Sequence, residues 1–299
     1  MPSPRSDTTP AAPVATSEHA PILGHGHFGH GAEKVLVFHD WMGDAANYEP
    51  LLPYLDPNAF TYVFADVRGY GKSRHLTGDY SAGEVAADGF RLADKLGWQH
   101  FHLIGHSMTG MAVQRMALDD WTSGARRLKR VVAITPVAAN GYPADEGTKQ
   151  FLWNLIHERN LSEQGFSLLT GQRLSPTWSR FKTNRHFQTS TEEALKGYYR
   201  MWLESDFSQE VRQAGVGTPF QVIGGRQDLP GFQEEHLRKT FGAWYASVQF
   251  AFITDAGHYP MHETPVYLAS LIEQFLGAGS GNTGAAAASN QNPTEQHTR

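Results

Sequence analysis

The feature that most limits the folds open to this chain is a series of short apolar runs of strand length, set between longer segments with helical patterning. The runs are KVLVFHD (34–40), TYVFAD (61–66), HFHLIG (100–105), RVVAIT (130–135), PFQVIGG (219–225) and VQFAFIT (248–254). They are close to continuously apolar rather than alternating, which marks strands covered on both faces. Helical patterns fall at 81–97, from Met108 to about Leu118, at 231–245 and at 265–276. Strands and helices in this alternation predict an α/β fold: a mostly parallel central sheet with helices on both faces. The expected core is 21–136 together with 217–276.

Ligands of open α/β sheets bind beyond the carboxyl ends of the strands. In FHLIGHSMTG (101–110) a strand stops at Gly105 and a helix begins at once, which puts Ser107 on that edge. Two readings fit: a nucleophile on a tight strand-to-helix turn, with the Met108 amide free to meet an oxyanion, or a serine capping a helix. Thr109 stands where the pattern of such turns has a small residue, and Gly110 offers relief. A serine nucleophile needs a base, and the base needs an acid to orient it. TDAGHYPMHETP places His258 after the last strand, and GGRQDLPG places Asp228 after the one before. With 15 histidines and 30 acidic residues in 299, position after three separate strands is what gives the trio weight. Asp145 is the competing acid, Asp255 lies too near His258 in sequence to hold its ring, and His262 is expected to face the loop or solvent.

Composition narrows the function classes. A chain with 40% hydrophobic and 12% aromatic residues buries a large core, and a net charge of −5 with only the short basic cluster RRLKR (126–130) argues against nucleic acid. There is no cysteine for disulfide or thiolate chemistry. No stretch reaches the roughly 18 apolar residues of a membrane span, so no membrane partner is expected. The first twenty residues lack the apolar region of a secretory signal, which makes the cytoplasm the expected location. HGHFGHG (25–31) carries three histidines without a carboxylate at ligand spacing, so no metal site is expected. Residues 1–20 and 277–299, rich in small and polar residues, are expected to be disordered tails. Nothing in the composition specifies an oligomeric state.

Five segments in order, HDW (39–41), DVRGYGKS (66–73), GHSMTG (105–110), GGRQD (224–228) and GHYPMHETP (257–265), resemble the α/β-hydrolase superfamily, nearest its esterase, lactonase and cofactor-free haloperoxidase-like members. The resemblance spans about residues 33–277. It implies Ser107 as nucleophile, His258 as base, Asp228 as acid, and the backbone N–H groups of Trp41 and Met108 as oxyanion hole. It also implies that His39, Gly105 and His106 support the site, and that no metal or organic cofactor is required. Asp40 departs from the pattern, which usually has glycine after that histidine. The simpler expectation turns its carboxylate away from the site; turned inward, it would repel anionic substrates.

Between Thr135 and Pro219 the strand–helix rhythm stops. GTKQFLWNLIHERN (147–160), SEQGFSLLTGQRL (162–174) and STEEALKGYYRMWLES (190–205) read as helices, the last opened by a Ser190–Glu193 capping box. Residues 137–216 are therefore expected to form a helical cap over the sheet edge, whose Trp153, Trp178 and Tyr199, with Asp40, line a substrate pocket. The expected partner is a small, largely apolar ester. Lactone hydrolysis, perhydrolysis of haloperoxidase type, carbon–carbon hydrolysis and a ligand receptor on the same scaffold are the alternatives.

Overall fold

The structure is a computed structural model that describes residues 20–278; apart from residues 20, 277 and 278, the tails expected at 1–20 and 277–299 lie outside the described residues. Seven strands, β1 (His25–Gly29), β2 (Glu33–Phe38), β3 (Phe60–Ala65), β4 (Phe101–His106), β5 (Leu128–Ile134), β6 (Phe220–Gly225) and β7 (Val248–Ile253), form one sheet in the order β1-β3-β2-β4-β5-β6-β7. Only β1 runs antiparallel, against β3; every other pairing is parallel. Residues of β3, β4 and β6 are buried along their whole length, as continuous apolar runs require of strands covered on both faces.

The six apolar runs become β2 to β7, with ends shifted by one or two residues. The histidine tract becomes β1, in which His25 pairs with Ala65 and Gly29 with Thr61. No apolar period marks it, because an edge strand with half-buried residues takes its conformation from its partner.

Helix α1 (Ala82–Lys95) packs on α2 (Met108–Ser123), which packs on β4 and β5. Ser81 caps α1 by accepting from the Glu84 amide at 3.1 Å, while the Glu84 carboxylate accepts from the Tyr80 amide at 2.9 Å. Between β5 and β6 lie five helices: α3 (Glu146–Leu155), α4 (Arg159–Leu169), α5 (Pro176–Thr189), α6 (Glu192–Glu204) and α7 (Ser208–Ala214). After β6 come α8 (Glu234–Trp244), the single turn α9 (Pro260–Glu263) and α10 (Pro265–Gly277).

Two sequence expectations for this insertion need correction. The Ser190–Glu193 capping box does not form: Thr191 is the cap, accepting from the Ala194 amide at 3.3 Å, while the Ser190 hydroxyl donates back to His186 O at the end of α5. Helix α5 carries no apolar stripe because its buried residues are Ser179, Lys182, Thr183 and His186. A helix that buries a polar face escapes a search for apolar periodicity. Helix α7, inside the span expected to be cap, packs against α2 and α8 instead.

Asp120 ties the end of α2 to the start of β5. Its buried carboxylate accepts from the amides of Arg127 at 2.9 Å and Leu128 at 3.0 Å. Asp120→Ala leaves both donors unpaired, the Leu128 amide in a buried position and the Arg127 amide in a partly buried one, and is expected to cost about 2 kcal/mol. Urea unfolding checks this: the midpoint falls with the slope unchanged.

Candidate active site

The site begins with the turn between β4 and α2. Ser107 occupies it at φ 54° and ψ −115°, and its side chain makes no capping hydrogen bond to the helix. Its backbone is held on three sides: the amide donates to Ile134 O at 2.9 Å, and the carbonyl accepts from the amides of Gly110 at 2.8 Å and Val137 at 3.0 Å. A Cβ on Gly105 would lie 2.5 Å from Thr109 O, and one on Gly110 would lie 2.4 Å from Pro136 Cβ, so both positions need glycine for close approach. Thr109 is accommodated because its hydroxyl is used. It donates to His39 O at 2.8 Å and accepts from the His106 amide at 2.9 Å, joining the end of β2 to the turn.

The loops after β6 and β7 bring Asp228 and His258 together. The His258 Nδ1–H donates to Asp228 Oδ2 at 2.7 Å, with both side chains buried. Burial raises the Asp228 pKa; the His258 charge and the donated bonds, including one from the Leu229 amide at 2.7 Å, offset part of that rise. The backbone of His258 is pinned as well. Its amide donates to Leu169 O, the last residue of α4, at 2.8 Å, and its carbonyl accepts from His106 Nε2–H at 2.7 Å. Glu263 accepts from the amides of Gly257 at 2.8 Å and Tyr259 at 2.9 Å and pairs with Arg173. Asp145, the competing acid, is exposed and caps α3 by accepting from the Thr148 amide at 2.7 Å.

On the opposite side stands the loop after β2. His39 Nε2 accepts from the Val67 amide at 3.1 Å, so its proton sits on Nδ1 and is donated to Asp40 O at 2.7 Å. Trp41 is held at both ends: its carbonyl accepts from Tyr70 O–H at 2.7 Å and its indole N–H donates to Leu195 O of α6 at 2.9 Å. Among the described residues, no acceptor takes the amide of Trp41 or of Met108, the latter opening α2. Two N–H groups without an acceptor, one on the residue that follows the serine and one on a residue of the same cavity wall, are of the kind that suits an oxyanion.

Ser107 and His258 share the wall of a cavity of about 80 Å³ with Asp40, Trp41, Tyr142, Phe151, Leu152, Leu155, Leu169, Trp202 and Phe232. The expected pocket residues are corrected here, Asp40 apart. Trp153 and Tyr199 pack edge to face at 5.3 Å and border a separate surface depression with Glu146 and Lys149. Trp178 donates its indole N–H to His262 Nδ1 at 3.3 Å and lies against Tyr259. The aromatics of the insertion that do reach the cavity, Tyr142, Phe151 and Trp202, differ in no local sequence feature from those that do not. His262 is also corrected: it turns inward, its Nε2 bonded to Asn47 Oδ1 at 3.1 Å. Asp40 is buried in the cavity wall, its carboxylate bonded to Tyr259 and Asn47.

Comparison with known proteins places this geometry. A family model described as the alpha/beta hydrolase fold matches residues 34–265. The chain belongs to the α/β-hydrolase fold family. Among relatives, the acetyltransferase component of an acetoin cleaving system from Cupriavidus necator is 33% identical over 111 residues, 36% of this chain and 28% of that protein. The chain thus spans less than a third of that relative's length. The AB hydrolase superfamily protein YisY of Bacillus subtilis is 23% identical over 271 residues, 88% of this chain and 97% of that protein. A hydrolase from Oleispira antarctica superposes with a TM-score of 0.73 at 18% identity, covering 85% of this chain and 94% of that one. Among the described residues of this α/β-hydrolase, no helix is long and apolar enough to cross a membrane.

Three imidazoles beside the site, His106, His186 and His262, are held neutral by burial, which pushes their pKa values down to about 3, about 4 and about 3. The unfolded chain titrates them near 6.5 and so binds protons that the folded chain refuses. Their contribution is complete above about pH 6.5 and is lost as pH falls towards 4. The melting temperature is therefore expected to drop steadily between about pH 6.5 and 5; calorimetry across that range checks it, and a flat profile contradicts it.

Proposed function

We propose that this α/β-hydrolase is a serine hydrolase that cleaves small, largely apolar carboxylic esters through an acyl-enzyme. The observation that carries the reading is Ser107, held at positive φ in the same cavity wall as His258, whose ring is fixed by Asp228 at 2.7 Å. Ser107 Oγ attacks the carbonyl carbon as His258 Nε2 takes its proton. The carbonyl oxygen becomes an oxyanion met by the amides of Trp41 and Met108. The carbon–oxygen bond to the alcohol then breaks, and the alcohol leaves with the proton from Nε2. Water gives a proton to Nε2 and attacks the acyl carbon; the bond from that carbon to Oγ breaks, Oγ takes the proton back from Nε2, and the acid leaves. Asp228 keeps the His258 proton on Nδ1 and stabilises the imidazolium.

The walls suggest what fits. Phe151, Leu152, Leu155, Leu169 and Phe232 are apolar, and about 80 Å³ is small beside ordinary ligand pockets of roughly 300 Å³ and more. A short acyl chain is the natural occupant of such a space. No feature of the site favours a peroxide, a lactone or a carbon–carbon substrate over an ester.

Initial rates on a chain-length series of p-nitrophenyl esters test the reading. Acetate to butyrate esters are expected to turn over faster than octanoate. Ser107→Ala is expected to lower kcat by on the order of 10⁴-fold or more, and Asp228→Asn by less but still by orders of magnitude. Retained turnover in Ser107→Ala would overturn the proposal.

A further inference from the structure

Asp40 takes no part in the acyl transfer set out above, yet its carboxylate is held by a dedicated set of partners. Tyr259 O–H donates to Oδ2 at 2.8 Å and Asn47 Nδ2 donates to Oδ1 at 2.8 Å. On its other side Asn47 Oδ1 accepts from the Lys182 ammonium and from His262 Nε2–H at 3.1 Å. The Asn47 amide is therefore strung between a carboxylate and an ammonium, and each fixes its orientation. Lys182 reaches in from α5, 99% buried, with its nitrogen 4.5 Å from the Tyr259 ring centre and 5.5 Å from that of Phe166. One turn further along α5, Arg185 forks both oxygens of Asp44 at 2.8 Å, so each of the two loop carboxylates has its own cation.

Both groups bonded to the Asp40 oxygens are donors, an arrangement that suits the ionised form. Burial alone would raise its pKa, but the Lys182 charge and the Tyr259 bond are among the interactions that outweigh it and hold the group below the usual carboxylate range. The pair has no net charge, but it is not symmetrical about the cavity. Asp40 forms part of the wall with Ser107 and His258, while Lys182 lies behind Tyr259 and Phe166 and is absent from the wall. A molecule in the cavity meets the negative end of this dipole, across a low-dielectric interior that screens it weakly.

We propose that Asp40 is a charge-selecting residue of the acyl site, which turns away acyl groups carrying a carboxylate and weakens retention of a carboxylate product. The product clause rests on the hydrolase reading. An oxyanion formed at Ser107 is met at short range by two amides, and those donors are the same in the wild type and in Asp40→Asn, so a comparison of the two proteins reads the charge of Asp40.

Butyrate and butyramide differ in charge and little in shape, and Trp41 and Trp202 in the wall report their binding by fluorescence. Titrated into the full chain, butyrate is expected to bind Asp40→Asn at least about tenfold tighter than the wild type, with butyramide changed by less than about twofold. The double variant Asp40→Asn/Lys182→Met leaves no unpaired buried cation and is expected to show the same gain, which guards against a folding failure of the single variant. Equal shifts for both probes, no shift for either, or no binding of either probe to any of the proteins would overturn the proposal. Failure of the hydrolase reading would show instead as absent ester turnover, which these titrations do not measure.

Discussion

The backbone of Ser107 is bent into a region that side-chain-bearing residues rarely occupy, φ 54° with ψ −115°, at a cost of about 1–3 kcal/mol. What surrounds it exists to hold that bend. The sheet places β4 between β2 and β5, and the turn is tied to both: Ser107 N–H to Ile134 O at the end of β5, and the Thr109 hydroxyl to His39 O beyond β2. Gly105 and Gly110 remove the Cβ atoms that would push α2 off the strand and off Pro136. With the bend fixed, the serine stands at the sheet edge beside the N-terminus of α2.

The insertion between β5 and β6 lines part of the cavity and is bonded to the loops around it. It contributes polar ties to each part of the site, among them Leu169 O to the His258 amide, Leu195 O to the Trp41 indole, and Lys182 to Asn47 below Asp40. All three ties end on residues flanking the cavity or lining it. A shift of α4, α5 or α6 would therefore move the loop of His258, Asp40 or Trp41 with it. This makes the placement of the insertion a condition of the site's geometry rather than a separate matter of access.

Much of this was legible from the residues, and the limits have physical causes. Continuous apolar runs predict β2 to β6 because a buried parallel strand is apolar on both faces, and the run at β7 is legible although that strand lies half-buried at the sheet edge. Position after three strands singles out Ser107, Asp228 and His258, and the structure sets the last two 2.7 Å apart. Edge strand β1 escapes because its pairing with β3 is a tertiary fact. Helix α5 escapes because it buries Ser179, Lys182, Thr183 and His186, and with it goes the charge that balances Asp40. Trp153 and Phe151 sit two residues apart on one helix, yet only Phe151 meets the cavity. Which aromatic faces inward depends on how the insertion docks, and no periodicity within a helix encodes that.

The claim on which the account turns is that Ser107 is a nucleophile activated by the His258–Asp228 pair. Reaction with a fluorophosphonate, followed by peptide mapping in a mass spectrometer, addresses it without any assumption about the substrate, and the chain has no cysteine to compete for the reagent. The account predicts a single adduct on Ser107 in the wild type, with labelling slowed by orders of magnitude in His258→Ala. No adduct, an adduct elsewhere, or equal labelling in His258→Ala would contradict it.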